Sequence, residues 1–158
     1  MHLVGDITHL LAAAGWIGAL VVFWIVLARP IPTVSDQKAL CASLTGFSGI
    51  GTILVAVIVA SGLINSFFLV GWDPARIIAA RYGQVLIAKL LLFTAMLVLA
   101  AANRFRHTPH FARALLKTEP TTEALSHLRK SITAETVVAG GVLALVSWLG
   151  TLAPVTAQ

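Results

Sequence analysis

Apolar positions fall in four long runs, roughly Ile7–Ala28, Phe47–Gly71, Tyr82–Asn103 and Ile132–Leu152, separated by polar stretches. Each run has at least the ~20 residues that a helix needs to cross a hydrocarbon core at about 1.5 Å per residue. Backbone polar groups in lipid must be bonded within their own segment, so the runs predict four transmembrane helices. The expected fold is all-α, an integral membrane four-helix bundle in which residues 1–158 form one domain. The first run reads as a retained span. No Lys or Arg precedes it, its apolar core exceeds that of a leader, and it ends in Ala28-Arg29-Pro30 without a small-residue cleavage pattern.

The stretches between runs carry their own signals. Arg29–Thr45 opens with Pro30 and Pro32, and a short helix is expected from Asp36, capped by that side chain. Thr108-Pro109 resembles an N-cap followed by proline at the first helical position. Phe111, Leu115 and Leu116 then share a face opposite Arg113 and Lys117, which predicts a piece lying along the inner membrane surface. Beyond Pro120, Leu125, Leu128 and Ile132 keep helical spacing, so the fourth helix is expected to begin before its membrane span. Gly15-xxx-Ala19, Ala56-xxx-Ala60 and Gly140-xxx-Ala144 are the expected close-packing points between helices.

Composition agrees with a membrane protein: 58% of residues are hydrophobic, 11% are charged, and the mean hydropathy is +0.93. The single cysteine, Cys41, excludes an internal disulfide framework and any Cys-pair metal site. A sequence pI near 10.2 invites a nucleic-acid reading, but the placement of the charges explains it better. Arg29, Lys38, Arg104, Arg106, Arg113, Lys117, Arg129 and Lys130 lie in the first and third loops or the adjoining helix ends. Only Arg76 and Arg81 lie in the second loop, and the termini have no Lys or Arg. The positive-inside rule then puts loops one and three in the cytoplasm and both termini on the periplasmic side. Trp72 and Tyr82 fall at the outer interface, where an aromatic belt is expected. No nucleic-acid partner is called for; membrane lipid is the solvent.

Ionisable groups inside spans need a partner or a purpose. His2, Asp6 and His9 stand at i, i+4 and i+7 on one face of the first helix, and Trp16 continues that stripe. Two imidazoles and a carboxylate suit a divalent metal, copper or zinc, whereas a lone His9 would be an interfacial hydrogen-bonding residue. Asn65 lies in the outer third of the second helix, and Lys89 lies about 10 Å below the outer surface. Lys89 either snorkels, pairs with Asp6, or faces an anionic ligand. At the inner boundary, Arg104 and Glu135 are expected to form a structural clamp, with a proton or ion relay as the alternative. His107 and His110 could chelate a metal across Pro109, although exposed loop histidines usually bind nothing. Met96 and Cys41 are softer candidates for Cu(I), with packing and an inert thiol as the plain readings.

The residues also carry a family resemblance. The string His9-Leu-Leu-Ala-Ala-Ala-Gly-Trp16-Ile-Gly18-Ala-Leu20 resembles the first helix of the carboxy-terminal membrane half of the copper resistance protein D (CopD) family. Phe47-Ser48, Ser61-Gly62, Tyr82-Gly83-x5-Lys89 and Ala102-Asn103-Arg104 resemble its next two helices. Leu128-Arg129-x5-Glu135 and Leu149-Gly150-Thr151-Leu152-x-Pro154 resemble its last. His9, Trp16, Tyr82, Lys89, Asn103, Arg104 and Glu135 are the matching positions, while Gln84 stands where the family pattern has arginine. The resemblance implies an inner-membrane protein that handles copper, passing it between periplasm and cytoplasm. A periplasmic copper chaperone is an implied partner. Longer members have about eight spans, so a four-span chain is expected to be a homo-oligomer.

The resulting expectation has His9, His2 and Asp6 receiving copper at the outer face. Trp16, Asn65, Lys89 and Met96 follow along a pathway, and Arg104–Glu135 hold its inner end. The alternatives are a haem-binding membrane oxidoreductase with His9 as axial ligand and Lys89 or Arg81 on a propionate, or a ligand-free assembly subunit. The charge distribution makes one direct prediction. A cysteine introduced near Lys117 should react in intact cells only with membrane-permeant reagents, and its labelling from outside would reverse the assigned orientation.

Overall fold

The computed structural model describes residues 2–70, 81–117 and 119–149, except for the side chains of residues 2, 65–70, 81–83 and 149. Its elements are α1 (His2–Ala28), α2 (Val34–Val70), α3 (Arg81–Ala102), a π-helical segment (Asn103–His107), α4 (Thr108–Leu116) and α5 (Thr122–Leu149). The described residues are all-helical, and four helices are long and apolar enough to cross a membrane. The expected belt residues Trp72 and Tyr82, and the second-loop charges, lie outside the described residues or side chains.

The first loop is much shorter than expected. The Thr33 hydroxyl accepts a 3.1 Å bond from the backbone N–H of Asp36 and donates one of 2.5 Å to its carboxylate. Thr33 is therefore the cap: its hydroxyl takes one orphan N–H at the start of the helix and is itself oriented by the Asp36 carboxylate. With its end so fixed, α2 runs unbroken from Val34 into the membrane, and no separate short helix forms.

The third loop also departs from expectation. Thr108 makes no cap, because α3 passes through the π-helical segment directly into α4, with Pro109 in the first turn. Proline has no N–H and its ring clashes with the carbonyl four residues earlier, and a π-turn is one way a helix absorbs both. Phe111 and Ala114 of α4 are buried against the end of the bundle, whereas Leu116 is 84% exposed. The apolar face of α4 thus covers protein, and Leu116 does not belong to it. Helix α5 begins at Thr122, ahead of the apolar run from Ile132, with Ala124, Leu128 and Ile132 joining Leu27, Leu40 and Phe111 in one core. Arg129 of α5 reaches back to the end of α1, donating from Nε to the Leu27 carbonyl at 2.6 Å. A cation there satisfies orphan carbonyls and complements the helix dipole.

The helices pack chiefly as α2 on α1, α1 on α5 and α5 on α3. Among the described residues α2 and α3 share little direct contact, so the bundle is open along that side. A second core of Ala12, Trp16, Leu20, Ile58, Met96 and Ala139 fills its middle. Close approach occurs at Gly15, as expected, where a Cβ would lie 3.6 Å from Leu54 of α2, and at two glycines that were not expected. A Cβ on Gly51 would lie 3.2 Å from both the Trp16 and Phe47 rings, and one on Gly141 would lie 3.5 Å from Leu92. A Cβ on Gly140 would meet nothing within 4 Å, and Ala56 and Ala60 face outward. Gly51→Val should therefore destabilise the bundle by about 1–3 kcal/mol through overpacking. Gly140→Ala should be neutral or slightly stabilising, because alanine is the better helix former. Thermal unfolding of both variants in detergent checks the contrast; equal effects would show that Trp16 does not seat on Gly51.

Candidate functional site

His9 of α1 lies against the C-terminal half of α2, its Nδ1 2.9 Å from the Ser61 hydroxyl oxygen. That hydroxyl is itself 2.5 Å from the Val57 carbonyl and 3.3 Å from that of Ile58. A serine has one proton, and here it goes to the helix carbonyls. The oxygen must then accept from Nδ1–H, which assigns the tautomer of the neutral ring and leaves Nε2 as its free lone pair. The next residue makes room for the ring: a Cβ on Gly62 would be 3.4 Å from His9 Cε1. Lys89 of α3, partly buried, and Asp6, one turn earlier on α1, both interact electrostatically with His9. Three helices therefore converge at one depth.

Of the expected outer ligands, the structure places His9 and Asp6 near each other. The His2 and Asn65 side chains fall outside those described. Among the described residues no three His, Cys, Asp or Glu side chains form a metal cage. Immediately inward, Trp16 is 7% exposed and packs on Phe47 with ring centroids 6.0 Å apart. Met96 is buried in the same core with Ile58, as ordinary packing would have it. This apolar layer separates the His9 cluster from the inner half of the bundle.

Below it lies a cavity of about 550 Å³, walled by α1, α2, α3, the π-helical segment and parts of α4 and α5. Its polar wall includes Thr52, Asn103, Arg104, Glu135 and the indole of Trp16, with the hydroxyl residues Thr45, Ser48 and Thr108. Trp16 Nε1 and Asn103 Oδ1 are buried without a hydrogen-bond partner, one donor and one acceptor left unused at the cavity wall. Among the described residues no imidazole, thiol or thioether lines it, and His9 is not part of its wall. A haem ligated by His9 therefore has no matching space there, and the Arg81 side chain proposed for its propionate is outside the described set.

The expected Arg104–Glu135 clamp is not formed. Glu135, 2% exposed, accepts a 2.7 Å bond from Asn103 Nδ2. Arg104 instead turns to α2, where Nη1 donates to the Ser48 carbonyl at 3.1 Å and to the Thr52 hydroxyl, while its guanidinium covers Phe105. Adjacent helical residues point about 100° apart, so Asn103 and Arg104 cannot both face α5. Asn103 takes the inward direction and the larger, charged side chain takes the open α2 side. Likewise His107 is paired with His127 of α5, not with His110 along its own segment; the ring centroids are 6.1 Å apart and the planes 7° from parallel. Ser61 and His127 were missed as the partners of His9 and His107. Each is an ordinary helix residue whose partner is distant in sequence, and no local spacing marks it.

The fold and these polar clusters define a small multi-pass membrane protein. Residues 41–149 match the family model for copper resistance protein D. The chain is 42% identical over 155 residues to copper resistance protein D of Pseudomonas syringae pv. tomato, covering 97% of this chain and 49% of that protein. It is 30% identical over 155 residues to the inner membrane protein YebZ of Escherichia coli K12, covering 98% and 50%. It is 32% identical over 98 residues to the copper transport protein CutJ of Bacillus subtilis 168, covering 62% and 18%. No solved structure matches. The chain belongs to the copper resistance protein D family, as a copper-related multi-pass protein of the inner membrane, and it spans about half the length of the first two relatives.

The inner pairing makes a quantitative prediction. Asn103→Leu should leave a buried carboxyl without its donor and cost about 1–3 kcal/mol. Glu135→Gln should cost less, since an amide can keep the bond to Asn103. In double-mutant cycles read by thermal unfolding, Asn103 and Glu135 should couple while Arg104 and Glu135 should be additive. Coupling only in the second cycle would restore the ion pair.

Proposed function

We propose that this protein binds copper at its outer end through His9 and passes it toward the cytoplasm. The observation that carries the reading is the His9–Ser61 pair: a hydroxyl with its proton committed to the helix backbone leaves His9 Nε2 unprotonated, the form in which an imidazole binds metal. Family membership supplies the ion, since the Pseudomonas and Bacillus relatives carry copper resistance and copper transport in their names. His2 and Asp6 complete the donor set, and the nearby Lys89 ammonium suits an anionic ligand that accompanies the ion. Asn65 lies along the same outer route. The Trp16–Ile58–Met96 layer is the barrier that must open for passage, with the inner cavity beyond it.

In this reading both termini face the periplasm, the 158 residues act as one four-span domain, and a periplasmic copper chaperone delivers the ion. A relative twice as long supports pairing of two such units, so the working form is a homo-oligomer.

His9→Ala should abolish most outer-site copper binding without unfolding the bundle, and His2→Ala should have a smaller effect. Ser61→Ala should weaken binding by about 10–100-fold, the usual effect of losing a partner that orients a ligand, whereas Ser61→Thr should retain it. Because the imidazole must be neutral, affinity should fall as the pH is lowered. Competition titrations with a copper chelator read all of these, and unchanged affinity in His9→Ala at neutral pH would sink the outer-site model.

A further inference from the structure

We propose that the cavity beside Arg104 binds one anionic phospholipid, with an acyl chain inside it and the phosphate on the Arg104 guanidinium at its mouth. The site would exist whether or not the protein carries copper.

The cavity has a buried floor and an exposed rim. Trp16, Gly51, Ile132 and Glu135 are buried in its wall, whereas Thr52 of α2, Ala101 of α3, Arg104 and Phe105 are exposed. Those exposed members flank the side on which α2 and α3 share little direct contact. In a bundle of membrane-spanning helices such a gap faces lipid, so a lipid chain can enter sideways. The space, about 550 Å³, falls within the roughly 300–1,000 Å³ usual for small-molecule sites. Leu20, Phe23, Phe47, Val55 and Leu97 make much of its wall apolar. An acyl chain suits that interior, because it buries no polar atom that would need a partner.

The mouth carries the opposite chemistry. Arg104 Nη1 donates to the Ser48 carbonyl and the Thr52 hydroxyl, both neutral acceptors. The Glu135 carboxylate is taken by Asn103, and among the described residues Arg104 forms no ion pair. A guanidinium has five N–H donors in a rigid fork; those two bonds use one nitrogen and leave the other two for an anion. A cation at the edge of hydrocarbon calls for a counter-charge, and phosphate oxygens match the fork bidentately. In a zwitterionic headgroup the phosphate is offset by its own ammonium, so an anionic lipid is the better match. Phe105, 69% exposed, lies under the guanidinium with 5.2 Å from its ring centroid to Arg104 Cζ, and it also lines the cavity. Charge and apolar surface are thus continuous from the headgroup position to the interior.

Native mass spectrometry of the whole chain, released from detergent and titrated with palmitoyl-oleoyl phosphatidylglycerol or phosphatidylcholine, tests the site. The parent should hold one phosphatidylglycerol about 5-fold more tightly than phosphatidylcholine, the worth of one basic side chain beside an anionic headgroup. Glycerol phosphate, the headgroup without chains, should not displace it. Arg104→Gln should bring the two lipids to equal affinity, while Arg106→Gln, a cation outside the cavity wall, should leave the preference intact. Ala101→Phe, which fills the mouth, should weaken both lipids by about 10-fold or more, the worth of roughly two buried methylenes. Circular dichroism checks that each variant is folded. Equal binding of the two lipids by the parent overturns the proposal, and displacement by glycerol phosphate replaces it with a site for soluble anions. Both measurements use the parent alone and so decide the matter even where a variant does not fold. Loss of the preference in Arg106→Gln as complete as in Arg104→Gln would reduce it to diffuse surface charge. Unchanged binding in Ala101→Phe would put the chain outside the cavity and overturn the site as well.

Discussion

Hydrocarbon offers no hydrogen bonds, so a polar side chain within this bundle is best satisfied by its own helix or by a partner on a neighbouring one. That constraint organises the structure more than apolar packing does, because lipid tails are as apolar as leucine and supply little drive for helices to associate. His9 meets Ser61 across α1 and α2, while from the π-helical segment Asn103 meets Glu135 of α5 and Arg104 meets Ser48 and Thr52 of α2. Arg129 ties α5 to the end of α1. Each pair fixes both a register and a rotation, since the partners meet only when the helices are turned toward each other.

The same pairs divide the molecule into levels. The His9 cluster lies at one end, a dry layer around Trp16, Ile58 and Met96 follows, and a cavity with a few polar groups lies beyond. Trp16 belongs to two of these levels. Its ring packs in the apolar layer while its indole N–H, unbonded, borders the cavity. A tryptophan seated on Gly51 ties the position of its ring to the α1–α2 contact.

The side between α2 and α3 is the least closed part of the bundle. Arg104 and Phe105 stand at the cavity there, and the guanidinium bridges across to α2 by hydrogen bonds in place of close helix packing. The first two relatives are about twice as long as this chain. The polar bridge holds α2 and α3 at a spacing that direct packing does not set.

Hydrophobic run length determined the four spans, because the thickness of a membrane and the rise of a helix leave no other reading of such runs. The helical spacing of Leu125, Leu128 and Ile132 likewise disclosed the early start of α5. His9 and Glu135 were legible as special because an ionisable residue inside an apolar run is conspicuous without knowledge of its neighbours. Their partners were not. Arg104 looked like the match for Glu135 by charge, yet the 100° turn between adjacent residues gave that place to Asn103. The π-turn ahead of Pro109 and the cap at Thr33 joined segments that appeared separate. Ser61 and His127 carried no local mark, since a serine in a helix ordinarily bonds its own backbone and an exposed histidine ordinarily bonds nothing. Sequence fixes depth along a span, through the rise per residue; rotation about each helix axis, and hence which polar groups meet, is decided only when the helices pack.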